Sequence, residues 1–167
     1  MPTSLFVCEE QRSHVRVCAD LVHLRTEGRI QFVDLTEILR ERVRRSGVAH
    51  GLASVQSRHT TTAIVVNEDE PLLLDDMCRT LERLVPAGIG YEHDDHARRS
   101  PGLPKDERRN GDSHCRSMLL GASETLHVVD GVLQLGRWQR IFLVELDGPQ
   151  ARSVSILIMG AASEEPE

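Results

Sequence analysis

The last third of the chain is a run of strand patterns joined by short turns. Segments rich in β-branched and apolar residues follow one another here: SETLHVV, VLQLG, WQRIFLVEL and ARSVSILIMG. Asp130-Gly131 is a hairpin signal between the first pair, and Asp147-Gly148-Pro149 predicts that the last pair is also antiparallel. No helical pattern interrupts this region, so we expect antiparallel sheet.

Strand and helix patterns follow one another irregularly before this region. Residues 5–24 are predicted to be extended, and residues 51–68 to form one long strand or two consecutive strands. Helices are predicted at residues 32–47 with Asp34 as N-cap and Gly47 as the stop, from Pro71 to Leu84, and at 114–121 with Ser113 as N-cap. Because no strand–helix–strand unit repeats, we predict an α+β fold. Its compact antiparallel or mixed sheets are sandwich-like, with helices packed against them.

Composition limits the class of protein. A chain of 167 residues fits one domain, placed at residues 1–160, and the small acidic tail at 161–167 is expected to fray. A net charge of −6 and 3% aromatic residues argue against nucleic-acid binding. No segment approaches the roughly 18 apolar residues of a membrane span, and no signal peptide is evident. The cysteines form no CxxC pair, so we expect reduced thiols and a cytoplasmic protein.

Histidines near loops and element ends are the main candidates for chemistry. His59, His93 and His114 are of this kind, and imidazole is the commonest ligand of zinc. Their spacing matches no short zinc motif, so folding would have to bring them together. The alternative is that they are solvated loop residues. His93 lies in a long polar stretch from Pro86 to Ser113, of a length typical of functional or disordered loops.

Carboxylates and basic residues offer weaker candidates. Glu68 and Asp75 flank the start of the second predicted helix, where they are either a general base or cation ligand, or ordinary helix-end and surface charges. The arginines of the long loop either close over a phosphate or are solvated. Asn110-Gly111 precedes a helix, where free N–H groups can bind an anion, but it is also an ordinary turn and cap.

Several short motifs follow one another in a fixed order over about residues 50–160: His59-Thr60-Thr61, Asn67-Glu68, Asp75-Asp76, Leu84-Val85-Pro86, Tyr91-x-His93, Asn110-Gly111-x-x-His114, Leu119-Leu120-Gly121, Gly131-x-Leu133-x-Leu135-Gly136-x-Trp138-Gln139 and Glu145-x-Asp147-Gly148-Pro149. In these motifs and their order the chain resembles the YjbQ family, whose members are often described as secondary thiamine-phosphate synthases. Arg137, Gln150 and the charged loop at 97–109 depart from the family pattern, which puts substrate access and anion contacts in question.

The resemblance implies a homotrimer whose sites lie near subunit contacts, with a divalent metal, zinc or magnesium, and a small phosphorylated metabolite as partner. It implies these roles: catalytic, His59, Glu68, Asp75 and His114; metal-binding, His59, His93 and His114; anion-binding, Thr60, Thr61 and Asn110. His96 is outside the pattern. The implied reaction is transfer of an aminopyrimidine-methyl group to a thiazole phosphate. The alternatives are a metal-dependent hydrolase or transferase acting on another phosphorylated metabolite, or a non-enzymatic trimeric binding protein.

Overall fold

A computed structural model describes residues 15–99, 102, 104 and 107–162. Within these residues the strands are β1 (Val15–Arg25), β2 (Gln31–Asp34), β3 (Val48–Ser57), β4 (Thr62–Glu68), β5 (Ser123–Val129), β6 (Val132–Leu133), β7 (Gln139–Glu145) and β8 (Ala151–Ala162). The helices are α1 (Thr36–Ser46), α2 (Pro71–Leu84), α3 (Gly111–Leu120) and a 3-10 turn at Glu92–Asp94. Among the described residues, none of the helices combines the length and the apolar character that a membrane span requires.

The strands form two antiparallel sheets. The five-stranded sheet has the order β1-β8-β3-β5-β6, and the three-stranded sheet has the order β2-β7-β4. All pairings between the described strands are antiparallel. The three α-helices pack against these sheets, so the predicted α+β fold is confirmed.

The larger apolar core lies between the two sheets. Val55 and Ile156 of the five-stranded sheet cluster with Ile141 and Leu143 of β7, and α1 contributes Leu39. Side chains alternate between the faces of a strand, so the neighbouring residues of β7 point to the opposite side.

A smaller core lies on that opposite side of the three-stranded sheet. Phe142 and Val144 of β7 cluster there with Leu81 of α2, and Leu120 of α3 packs against them. β7 is therefore covered on both faces, which explains its unbroken apolar sequence.

The pairing predicted for the last two strands is wrong. β7 pairs with β2 and β4, whereas β8 pairs with β1 and β3. The Asp147-Gly148-Pro149 turn therefore carries the chain from one sheet to the other and closes no hairpin. The prediction failed because strands facing each other in a sandwich and strands paired in a hairpin show the same apolar pattern.

The other hairpin is confirmed. β5 and β6 pair around Asp130 and Gly131, whose φ angles are 52° and 71°. Two successive positive φ angles are what a tight hairpin turn requires. The predicted extended segment at 51–68 divides into β3 and β4, which belong to different sheets.

The start predicted for the first helix is wrong. Residues 31–34 form β2, and α1 begins at Thr36. Asp34 still accepts the Thr36 N–H at 2.7 Å, so its side chain serves the helix start from within a strand. Gly47 ends α1 as predicted, with φ at 64°.

The start predicted for the short helix is also wrong. α3 begins at Gly111, and Ser113 lies inside it, where its Oγ donates to Leu146 O at 2.6 Å. The second predicted helix is confirmed at Pro71–Leu84. The predicted tail begins inside β8, which runs to Ala162. Residues 5–14 of the first extended segment and 163–167 of the tail lie outside the described residues.

Candidate functional site

A polar cleft of about 410 Å³ forms where three connections meet. These are the turn between β3 and β4, the segment from the 3-10 turn to the start of α3, and the turn between β7 and β8. Several residues singled out from the sequence line it: Thr60, Thr61, His93, Asn110 and His114. The fold therefore brings together residues that are more than fifty positions apart in the chain.

His93 and His114 are in direct contact in this cleft. Their ring centroids lie 4.6 Å apart with an angle of 63° between the ring planes. Burial lowers the pKa of His114 below its ordinary value, and the neighbouring His93 lowers it further, against the opposing charge of Asp147. His114 therefore favours the neutral form, in which a ring nitrogen can take a proton or bind a metal. His93 Nε2 is buried and has no hydrogen-bond partner among the described residues.

The arginines of the cleft are each paired with a carboxylate. Arg99 Nη1 lies 3.0 Å from Glu107 Oε1 and donates to His93 O at 3.4 Å. Arg108 Nε lies 3.2 Å from Asp147 Oδ1. The cleft thus contains both charges, and an anion that bound these guanidinium groups would compete with their carboxylates.

Asp147 is the main acceptor in the cleft wall. It is 5% exposed, and its Oδ2 accepts from Asn110 Nδ2 at 2.8 Å and from Gln150 Nε2 at 3.1 Å. Arg108 approaches its other carboxylate oxygen. Asp147 therefore connects the loop before α3 to the turn after β7.

A buried ion pair lies beneath the cleft. Arg152 makes two bonds of 2.6 Å to Glu145 and donates to Thr61 Oγ1 at 3.1 Å. Glu145 also accepts from Thr26 Oγ1 at 2.9 Å. This network fixes one wall of the cleft, because Thr61 lines it.

His59 is not among the residues that line the cleft. Its Nε2 accepts the Ser153 N–H at 2.8 Å. The pKa of His59 is lowered mainly by burial and further by the positive charge of Arg152. His59 is therefore bound to β8 as a neutral acceptor.

The two predicted catalytic acids also lie elsewhere. Glu68 ends β4, opposite Gln139 of β7. Asp75 is exposed on α2. The pKa of the Cys78 thiol is raised first by the burial of that thiol and second by the charge of Asp75. Neither carboxylate lines the cleft of its own chain.

No three side chains of His, Cys, Asp or Glu in the described part of the chain are arranged to hold a metal ion. The fold brings His93 to His114 and leaves His59 apart. The three-histidine metal site remains a prediction.

Sequence reasoning missed the role of Asp147 and weighed Arg99 and Arg108 as possible surface charges. The family motif Glu145-x-Asp147-Gly148-Pro149 was the only sequence feature that could have indicated Asp147. Without the family, two acidic residues beside a turn do not indicate a functional site. His96 does not line the cleft, although its Nε2 is buried without a described partner.

A model of the family described as "UPF0047 protein YjbQ-like" matches residues 20–161. The chain belongs to the YjbQ family. A UPF0047 protein of Methanothermobacter thermautotrophicus is 39% identical over 137 residues, which cover 82% of this chain and 88% of that relative. The UPF0047 protein YugU of Bacillus subtilis is 31% identical over 140 residues, 83% of this chain and 97% of its own.

Solved structures of similar proteins share the fold. A YbjQ-like protein of unknown function from Sulfolobus solfataricus P2 has a TM-score of 0.78 and 32% identity, covering 88% of this YjbQ chain and 99% of its own. A hypothetical protein from Aeropyrum pernix K1 has a TM-score of 0.75 and 34% identity, covering 85% and 98%. The overall fold of this chain is therefore the fold of these solved YjbQ-like structures.

Proposed function

We propose that this YjbQ protein is a cytoplasmic enzyme that acts on a small phosphorylated metabolite in the polar cleft, and that its reaction is thiamine phosphate formation. The observation that carries this proposal is the contact between His93 and His114 in a cleft that also contains Arg99 and Arg108. Neutral imidazole beside guanidinium groups suits chemistry on a ligand with an anionic end.

In this reaction an aminopyrimidine-methyl group passes from its diphosphate to a thiazole phosphate. The ring nitrogen of the thiazole forms the new C–N bond, the C–O bond to the diphosphate breaks, and pyrophosphate leaves with the electron pair. Arg99 and Arg108 would exchange part of their contact with Glu107 and Asp147 for the leaving pyrophosphate. The hydroxyls of Thr60 and Thr61 would donate to phosphate oxygens.

A divalent metal fits part of this site. His93 and His114 would hold it, and it would supply positive charge to the leaving group. The buried Nε2 of His93, without a described partner, supports a role as a ligand. Two imidazoles suit zinc better than magnesium, which prefers oxygen ligands. A third ligand would come from water, substrate or another copy of the chain.

The proposed roles of Glu68 and Asp75 rest on the family resemblance alone. Both lie outside the cleft of their own chain. They would reach a substrate only across a contact between copies.

A homotrimer is part of the proposal. The outer face of the five-stranded sheet exposes apolar side chains, among them Val17 at 61%, Leu52 at 41% and Met159 at 42%. The strand register places these three in one row, because Met159 pairs with Val17 on one side and with Leu52 on the other. Contiguous exposed apolar residues are typical of protein–protein contacts. Light scattering on the wild type and on Met159→Glu tests this, with Leu72→Glu on α2 as the control.

A hydrolase or another transferase would use the same cleft, and a trimeric binding protein would use it without chemistry. The substrate that is turned over distinguishes a hydrolase from a transferase. A protein that binds the ligand without turning it over would be the binding protein.

The deciding experiment measures thiamine phosphate formation from both phosphorylated precursors, with zinc, with magnesium and with a chelator. We expect turnover that requires metal and is lost in His114→Ala. His96→Ala, which removes a histidine of the same loop that does not line the cleft, is the matched control and should keep the activity. Folded, zinc-loaded protein that forms no product would overturn the transferase proposal, and full activity in His114→Ala would overturn the site.

A further inference from the structure

Asn110 has a buried side chain that the helix start does not use. It is 9% exposed and lines the cleft. Its backbone carbonyl accepts the N–H groups of Ser113 at 3.0 Å and His114 at 3.2 Å, which holds its backbone to α3. Its side chain makes no capping bond. The amide group is therefore available for another role.

The orientation of this amide follows from its neighbour Asp147. Asn110 Nδ2 donates to Asp147 Oδ2 at 2.8 Å, and the same oxygen accepts from Gln150 Nε2. Arg108 faces the other oxygen of Asp147, so this carboxylate is surrounded by donors. If the Asn110 amide were flipped, its Oδ1 would face Asp147 Oδ2, and two acceptor oxygens would be in contact without a hydrogen between them. Asn110 Oδ1 therefore points away from Asp147.

Asn110 Oδ1 has no donor in the described part of the chain, although it is buried. Buried acceptors in proteins almost always have a partner, and each exception calls for an explanation. His93 Nε2 is a second such atom, and its residue lines the same cleft. Since His93 Nε2 is proposed above as a metal ligand, Asn110 Oδ1 is the atom of this cleft whose hydrogen bonding a bound ligand would complete.

The missing group must be a donor. An amide oxygen can only accept, and Asp147 beside it adds negative charge. A phosphate oxygen at this position would face the lone pairs of Asn110 Oδ1 and be repelled, whereas an N–H group would be attracted by them. Moreover, Asp94 Oδ1 already accepts the Gly111 N–H at 2.9 Å, so this helix-start donor is not free for an anion.

We propose that Asn110 Oδ1 is a specificity contact that accepts a hydrogen bond from an N–H group of the ligand. The cleft then selects an amino-bearing ligand over one that presents an ether oxygen at the same place. This deepens the proposed function, on which the choice of an aminopyrimidine as the ligand rests. The anionic end of the ligand is directed to the arginines, and the amino group to Asn110.

Calorimetric titration with two matched probes tests this proposal. One is an aminopyrimidine carrying a hydroxymethyl group, and the other is its counterpart in which methoxy replaces the amino group. We expect wild-type protein to bind the amino probe about tenfold more tightly, the difference that one satisfied hydrogen bond typically makes. Asn110→Ser should bind both probes about equally, because its shorter side chain does not present the acceptor. Asn67→Ser, at an exposed asparagine outside the cleft, is the matched control and should keep the preference.

Equal affinities in wild-type protein would overturn the proposal, as would a preference that survives in Asn110→Ser or the failure of both probes to bind. The wild-type comparison needs no substitution, so a variant that fails to fold leaves the test intact. An Asn110-dependent preference without thiamine phosphate formation would reject only the proposed reaction. Thiamine phosphate formation without a preference would reject only this contact.

Discussion

Loss of the Arg152 side chain should destabilise the protein strongly, because it leaves a buried charge without its partner. Glu145 is fully buried, and the side chain of Arg152 is 4% exposed. Burial by itself would raise the pKa of Glu145, but hydrogen bonds from Arg152 and from the Asp147 N–H outweigh it and hold this pKa below its ordinary value. Glu145 is therefore a carboxylate at neutral pH, and its stabilising charge contacts come from Arg152.

Arg152→Met preserves much of the aliphatic volume and removes the guanidinium. Removing one partner of a buried ion pair costs about 3–5 kcal/mol. With a urea dependence of about 2 kcal/mol per molar, the midpoint of urea unfolding should fall by roughly 1.5–2.5 M. The Thr61 hydroxyl also loses its donor, so the same change should weaken ligand binding in the cleft.

Urea unfolding followed by circular dichroism measures this effect. Arg44→Met is the matched control, because its ion pair with Glu41 is at the surface and its side chain is 74% exposed. Such pairs contribute about 0–1 kcal/mol. Adding Glu145→Gln to Arg152→Met should recover part of the loss, since no unpaired charge then remains. A loss in Arg152→Met no larger than in the control would refute the reasoning.

The remaining predictions concern pH and packing. The folded pKa of His114 lies below its unfolded value, so the unfolded state binds the proton more readily. The free energy of unfolding should therefore fall as pH drops below about 6.5, and His114→Gln should flatten this part of a urea-derived stability profile; an unchanged slope would contradict the assignment. A Cβ at position 111 would lie 2.5 Å from Tyr91 Cβ and 2.8 Å from its ring, so Gly111→Ala should destabilise the fold by about 1–3 kcal/mol. Gly136→Ala, where the three atoms nearest the new Cβ belong to the side chain of Gln139 and the closest is 3.3 Å away, should be tolerated, and equal melting temperatures for the two variants would reject the proposed crowding.

Features of the fold that depend on local chemistry could be predicted from the sequence. Pro71 begins α2, Gly47 ends α1, and Asp130-Gly131 forms a hairpin, because each of these residues favours a specific backbone conformation. The short strand β2 was missed because only Leu35 separates its four residues from α1 and they share the apolar pattern of the helix. The partners of β7 and β8 depend on which sheet each strand joins, and this is decided by packing between distant residues.

Some residues of the site could likewise be predicted from local sequence, whereas others depend on contacts between distant segments. His93 and His114 were candidates because each lies at the end of an element, and the fold places them in contact. The acceptor role of Asn110 was not predictable, since it requires Asp147 from another turn to orient the amide. Glu68 and Asp75 were candidates from the resemblance, but Glu68 lies at the end of β4 and Asp75 on the exposed face of α2, and neither lines the cleft.

The predicted three-histidine metal site and the predicted trimer depend on each other. Within one chain, His93 contacts His114 while His59 is bound to Ser153. Ser153 lies on the same face of β8 as Leu157 and Met159, because side chains alternate along a strand, and these two are 38% and 42% exposed. A neighbouring copy that covered this apolar face would also approach the end of the sheet that holds His59. If His59 is a ligand, Met159→Glu should lose bound zinc together with the trimer, whereas Leu72→Glu should lose neither. A monomeric Met159→Glu that kept one zinc per chain would show that His93 and His114 hold the metal without His59.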